Sequence, residues 1–316
     1  MKNTSYYILF TLFTCIFCSF DVERIPVIYM IGDSTMADKP LSGGNPERGW
    51  GQMFSGFLTP DIHVDNRALN GRSTRSFRNE GHWELVRKKL RKGDYVFIQF
   101  GHNDQKADTA RHSDAETDYK INLGKYIDET RKVGAIPILF TPIVRRKFNP
   151  DGTLADTHGK YTDAVRAVAK EKQVLLIDLN KMSASLLERY GQEKSTSLFV
   201  WVEPGIYAAL PKGKQDNTHL NVRGARLIAR MVAEAIKETI PALAPHIVMY
   251  DYVVAKDGSG DFFTIQEAID AVPDFRKKGR TTIYIREGVY KEKVILPESK
   301  INVSFMGESR TKTILT

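Results

Sequence analysis

The chain has 316 residues, enough for one large domain or two smaller ones around a sizeable core. Its composition is that of an ordinary globular protein, which excludes a collagen-like or largely disordered chain. The formal net charge of +8 favours anionic partners such as an acidic polysaccharide, while the absence of any long basic run marks no dedicated nucleic-acid module, so no nucleic-acid partner is expected.

In chain order, Lys2 precedes an apolar run from Tyr6 to Phe20 and then the polar Asp21-Val22-Glu23-Arg24. The run is short for a membrane span, so residues 1–20 are predicted to be an export signal, with the mature protein periplasmic or extracellular and not inserted in the membrane. No clean A-x-A cleavage site follows, which leaves an uncleaved anchor or lipid attachment at Cys18 as alternatives. Cys15 and Cys18 are the only cysteines, so the mature chain is expected to have no disulfide or thiol chemistry. Beyond the signal, Val27–Ile31, Tyr95–Phe100, Ile136–Phe140 and Val174–Asp178 are continuous apolar runs, the pattern of strands covered on both faces. Helical patterns occupy Trp83–Leu90, Tyr119–Val133, Asp163–Glu171, Lys181–Tyr190 and Val222–Thr239. Strands alternating with helices predict a doubly wound α/β domain over residues 21–240, with the functional crevice at the carboxyl ends of the strands.

The pattern changes at Pro241-Ala242-Leu243-Ala244-Pro245, and residues 241–250 are predicted to be a linker. Residues 251–316 then give short strand-like pieces (Tyr252–Val254, Thr282–Ile285, Lys293–Leu296, Ile301–Phe305) and one amphipathic helix at Ile265–Ala271.

Four segments carry chemistry: Gly32-Asp33-Ser34-Thr35, Asn70-Gly71-Arg72-Ser73, Gly101-His102-Asn103-Asp104 and Asp216-Asn217-Thr218-His219. A serine hydroxyl needs a base to act as a nucleophile. Asp216 lies three residues before His219, a spacing that lets the carboxylate fix the imidazole tautomer. A tetrahedral intermediate also needs donors for its oxyanion, and the N–H groups of Ser34 and Gly71 with the Asn103 side-chain amide supply three. Each segment alone reads more simply as a turn, a loop glycine or a helix cap. Their occurrence together, each at an expected strand end, reverses that balance.

These segments resemble the blocks of the SGNH (GDSL-type) hydrolase superfamily. The stretches GDSTMAD, GWGQM, NGRSTRSF, FGHNDQK and KQDNTHLN resemble its rhamnogalacturonan acetylesterase branch in particular. The resemblance covers about Ile25 to Thr239. It implies a three-layer α/β/α flavodoxin-like domain without a metal or cofactor, with Ser34 as nucleophile, Asp216 and His219 as the dyad, and Ser34, Gly71 and Asn103 as the oxyanion hole. No group of His, Asp and Glu has convincing metal spacing. Arg72 and Lys214, like Arg75, Arg145, Arg146 and Lys212, belong to loops expected around the crevice and suit uronate carboxylates, with solvated loop charge as the plain alternative. His102 is expected to be structural or to line the pocket as a substrate-binding residue, with a second base as the alternative. Trp50 and Trp201 are candidates for stacking on sugar rings, with core packing as the simpler expectation.

The tail is similar to the start of a pectin methylesterase, through YVVAKDGSGD, GVYKE and MGESRTKTILT. That likeness implies the first turns of a right-handed parallel β-helix, with none of that family's active-site residues present and a marginal stability of its own. The chain is accordingly expected to be a truncated two-enzyme fusion. An acetylesterase acting on pectic rhamnogalacturonan is the leading expectation. The alternatives are an esterase of xylan, other sugar acetates or lipids, and a non-catalytic carbohydrate-binding module. The sequence leaves the oligomeric state open.

Overall fold

The computed structural model describes residues 24–316; the expected export segment, with Cys15 and Cys18, lies outside the described residues. Five parallel strands form the central sheet. They are β1 (Val27–Gly32), β2 (His63–Asn66), β3 (Tyr95–Gln99), β4 (Ile136–Phe140) and β5 (Leu175–Ile177), in the order β2-β1-β3-β4-β5. The direction of winding reverses between β1 and β3, and open α/β sheets hold ligands beyond the strand ends at such a switch point.

Side chains alternate across the sheet and build one core on each face. Ile28, Met30, Phe97 and Phe140 pack on α1 (Trp50–Phe54), α6 (Leu179–Lys194) and α7 (Val222–Thr239). Tyr29, Ile31, Val96 and Leu139 pack on the opposite layer of α2 (Thr74–Asn79), α3 (His82–Arg87), α4 (Asp118–Lys132) and α5 (Lys160–Glu171). Helix α7 buries Ile228, Val232 and Ile236, spaced four apart on one face, and Asn221 caps it by accepting the Gly224 N–H.

Among the features absent from the sequence reading, two bear on the site. Strand β2 (His-Val-Asp-Asn) is an edge strand, partly exposed and largely polar, so it lacks the apolar run that marked its neighbours. Strands β6 (Phe199–Val202) and β7 (Lys214–Leu220) form a separate antiparallel pair. Asp216–His219 therefore lies within a strand, where the end of one was expected.

The stretch expected to be a linker is strapped to the first domain. Leu243 and Ile247 are buried in its core, the Val248 N–H donates to the Phe57 carbonyl, and Ile247 bridges Leu58. Apolar side chains at both positions override the Pro/Ala signal. The tail beyond it pairs β8 (Tyr252–Val254), β9 (Thr281–Ile285) and β11 (Val303–Gly307) in parallel, and separately β10 (Gly288–Tyr290) with β12 (Thr313–Leu315). Helix α8 (Ile265–Asp270) lies between β8 and β9 in the chain, and Ile265, Ala268 and Ile269 share a small core with Val254, Ile283 and Tyr290.

Candidate active site

Ser34 follows β1 by two residues, in a turn where the Asp33 carbonyl accepts the Met36 and Ala37 N–H groups. Asp33 Oδ1 also accepts the Thr35 N–H and O–H, so the turn is held without the Ser34 hydroxyl. Gly32 admits no side chain, because a Cβ there would sit 2.5 Å from the Gln99 carbonyl oxygen on β3. That close approach brings the ends of β1 and β3 together.

The serine hydroxyl donates to His219 Nε2 at 2.9 Å, and His219 Nδ1 donates to Asp216 Oδ2 at 2.7 Å. Asp216 Oδ1 accepts the backbone N–H groups of Thr218 and His219 at 2.8 and 2.9 Å. The β6–β7 ladder explains how one strand holds both groups. Two steps along β6, from Phe199 to Trp201, face five along β7, from Leu220 to Gln215, so Asp216–His219 bulges from the pairing. Burial works against ionising Asp216, but the hydrogen bonds from His219 and Lys214 outweigh it and hold the carboxyl well below the usual carboxylate range.

Gly71 and Asn103 belong to the loops after β2 and β3. Gly71 has φ +75°, a left-handed conformation that favours glycine, and a Cβ there would meet nothing within 4 Å. Conformation, not space, selects glycine here. Asn103 Nδ2 donates one hydrogen to the Arg72 carbonyl at 3.0 Å, which ties the two loops together. Asp104 adds a second tie by accepting the N–H and O–H of Thr74 at the start of α2. Among the described residues, the N–H groups of Ser34 and Gly71 are given to no protein acceptor.

Three donors beside a base-activated hydroxyl form a constellation suited to acyl transfer. The GDSL-like lipase/acylhydrolase family matches residues 30–227. This chain belongs to that family. It is 39% identical over 221 residues to a rhamnogalacturonan acetylesterase of Bacillus subtilis, across 70% of this chain and 94% of that protein. The solved structure of the Bacillus subtilis protein YxiM is similar at 30% identity and a TM-score of 0.58, over 68% of this chain and 56% of that one. The pectinesterase family matches residues 251–316. There the chain is 46% identical over 69 residues to Pectinesterase 4 of Arabidopsis thaliana, spanning 22% of this chain but 12% of that protein.

In this acylhydrolase the three residues expected to bind substrate are engaged within the protein. Arg72 turns its guanidinium onto Glu80 at the end of α2, at 2.7 Å, because a complementary carboxylate lies eight residues away. His102 is buried; its Nδ1 faces Asp33 Oδ2 at 3.2 Å and its ring packs against His158, so it sits behind the Ser34 turn and does not line the crevice. Burial pushes its pKa down, against the pull of Asp33, so the ring is held neutral. Lys214 contacts Asp216 at 2.8 Å and Glu47 at 3.6 Å.

Trp50 belongs to the core, and Trp201 already carries a cation on one face. Trp50 is fully buried against Phe140, and the Arg146 guanidinium covers the Trp201 ring at 4.8 Å. Arg146 and Trp201 instead both donate to Asn217 Oδ1, at 2.9 and 3.1 Å, and so clamp the bulge that holds Asp216 and His219. Sequence reasoning missed this clamp. Arg146, Trp201 and Asn217 were each in view, but nothing in the sequence joins them.

Asp104 provides a stability test. It is fully buried, its Oδ2 has no partner, and burial pushes its pKa from 3.8 up to about 7, opposed by the Thr74 hydrogen bonds. A carboxyl with a raised native pKa costs the folded state progressively more as pH climbs from its unfolded pKa to its folded one. Asp104→Asn keeps an acceptor for Thr74 and removes that cost. The melting temperature of the variant relative to wild type is therefore expected to rise by several degrees between pH 4.5 and pH 8, and a constant difference would count against a neutral Asp104.

Proposed function

We propose that this chain is a serine carboxylic-ester hydrolase that removes O-acetyl groups from pectic rhamnogalacturonan. The observation that carries the reading is the continuous row from Ser34 through His219 to Asp216, with hydrogen bonds of 2.9 and 2.7 Å. In the first step His219 takes the Ser34 proton while Oγ attacks the acetyl carbonyl. The N–H groups of Ser34 and Gly71 and the second Asn103 amide hydrogen hold the resulting oxyanion. His219 returns the proton to the departing sugar oxygen, leaving Ser34 acetylated. Water, deprotonated by the same imidazole, then releases acetate and restores the hydroxyl. Asp216 stays ionised throughout and stabilises the imidazolium.

The substrate class follows from the relatives. The first domain is similar to a rhamnogalacturonan acetylesterase over nearly that protein's whole length. Independently, the tail is similar to pectinesterases. We read the tail's parallel pairs as the opening turns of a right-handed β-helix. The polymer dictates export, and the apolar run before Asp21 is proposed to direct it. The test is acetate release from acetylated rhamnogalacturonan and from acetylated xylan, measured side by side. Release chiefly from the pectic polymer is expected, and release chiefly from xylan would overturn the substrate assignment while leaving the chemistry intact.

A further inference from the structure

We infer that Lys214 is a positioning residue that sets how readily His219 accepts a proton, by sharing the Asp216 oxygen to which His219 is bound. The inference rests on the roles proposed above for Ser34, His219 and Asp216. Its basis is geometric. Lys214 Nζ lies 2.8 Å from Asp216 Oδ2, the same oxygen that takes the His219 Nδ1 hydrogen at 2.7 Å. The other oxygen of Asp216 is occupied by two backbone N–H groups. One carboxylate oxygen therefore serves two side-chain donors, an ammonium and an imidazole.

Lys214 does not stand alone. Glu47 lies 3.6 Å from its ammonium and is paired in turn with the buried Lys39 at 2.7 Å. Lys39 also donates to the Asn70 side chain, beside Gly71. Glu47 is fixed by its backbone bridge to Asn221, two residues beyond His219. The charges thus alternate along Asp216, Lys214, Glu47 and Lys39, from the bulge of β7 to the loop after β2.

The electrostatic consequence has a definite sign. A carboxylate against Nδ1 stabilises the imidazolium, whereas an ammonium on the same oxygen offsets part of that negative charge and repels the imidazolium directly. Lys214 therefore draws on the same oxygen that stabilises the imidazolium, and without it Asp216 Oδ2 would serve His219 alone. The charged and titratable groups facing His219 are Asp216 and Lys214 from β7, Glu47 from the segment before α1, and His102 from the loop after β3. Glu47 acts in the opposite sense to Lys214. It adds a nearby negative charge and draws the ammonium away from Asp216. An acidic sugar was the ligand first expected for Lys214, but its ammonium already has two carboxylates.

The test is the pH dependence of kcat/KM on a neutral aryl acetate, which offers Lys214 no carboxylate to bind. Wild type, Lys214→Met, Lys214→Arg and Glu47→Gln are compared, with Ser34→Ala as the blank. The acid limb of Lys214→Met is expected to move about one pH unit toward higher pH. Lys214→Arg should follow wild type, because it restores the cation, and Glu47→Gln should move the limb the other way. A uniform loss of activity in Lys214→Met with an unmoved limb is what a merely structural lysine gives, and overturns the inference. Should Glu47→Gln fail to fold, the Met and Arg pair at position 214 still decides the matter. Turnover that persists in Ser34→Ala would instead overturn the reading of the site on which the inference stands.

Discussion

Ser34→Ala is expected to lower ester hydrolysis by about 10⁴-fold or more while leaving the melting temperature within a degree or so of wild type. The two halves of that expectation have separate structural grounds. The hydroxyl is the only group on the Ser34 side chain, and it is spent on His219 Nε2. Without it, the imidazole has no alcohol to deprotonate and no acyl-enzyme can form. The fold does not need it, because the turn is held by the Asp33 carbonyl and by Asp33 Oδ1 on Thr35. Hydrolysis of an aryl acetate, corrected for the spontaneous rate, gives the first half and thermal melting the second. A variant that is folded and keeps a tenth of the wild-type rate would exclude Ser34 as the nucleophile.

The second large effect is expected at the seam between the two parts of the chain. Arg226 on α7 pairs with Asp261 of the tail at 2.6 Å, with both side chains nearly nine-tenths buried. Arg226 Nη2 also donates to the carbonyls of Tyr250 and Asp251, and the guanidinium lies 4.7 Å from the Phe57 ring centroid. Asp261 Oδ2 accepts the Val253 N–H at the edge of β8. Burial pushes each partner toward its neutral form, Arg226 down and Asp261 up, so each keeps its charge through the other. Removing one leaves an uncompensated buried charge, which costs about 3–5 kcal/mol. Asp261→Ala is expected to lose that much in denaturant unfolding. The double variant Arg226→Met with Asp261→Leu should recover most of it, because the desolvation cost disappears with the second charge. A neutral Asp261→Ala would mean that the tail is not tied to the first domain at this point.

What the sequence made legible follows from burial. Strands β1, β3 and β4 sit inside the sheet with both faces covered, so their apolar runs announced them. Helix α7 carries a clean apolar face and was bounded to the residue. The edge strand β2 shows water one face and one side, and its polar residues read as a loop. The pair β6–β7 escaped because its ladder is broken by the very bulge that holds Asp216 and His219. The chemistry-bearing segments were legible for a different reason: three follow β1, β2 and β3 at the carboxyl end of the sheet, and the fourth bulges from β7, so all four carry polar residues where the backbone leaves its regular pairing.

The assignments of Arg72, His102 and Lys214 to substrate show where such reading stops. Residue type and loop position say that a charge lies near the crevice, but not which carboxylate has already claimed it. Glu80 is eight residues from Arg72 in the chain, Asp33 is 69 from His102, and Glu47 is far from Lys214 in sequence though 3.6 Å away in space. Only the first of these pairs is local enough to anticipate. The linker was misjudged in the same way, since Leu243 and Ile247 find their pocket on a surface built some 190 residues earlier in the chain.

Covalent trapping tests the central claim most directly. An alkylphosphonate aryl ester transfers its phosphorus to an activated serine oxygen and leaves an adduct that water does not remove. Intact-mass and peptide analysis after partial inactivation is expected to find a single adduct on the peptide carrying Ser34, rising in step with the loss of esterase activity and absent from Ser34→Ala. Inactivation with the label on another residue, or full labelling at Ser34 with activity preserved, would contradict the account.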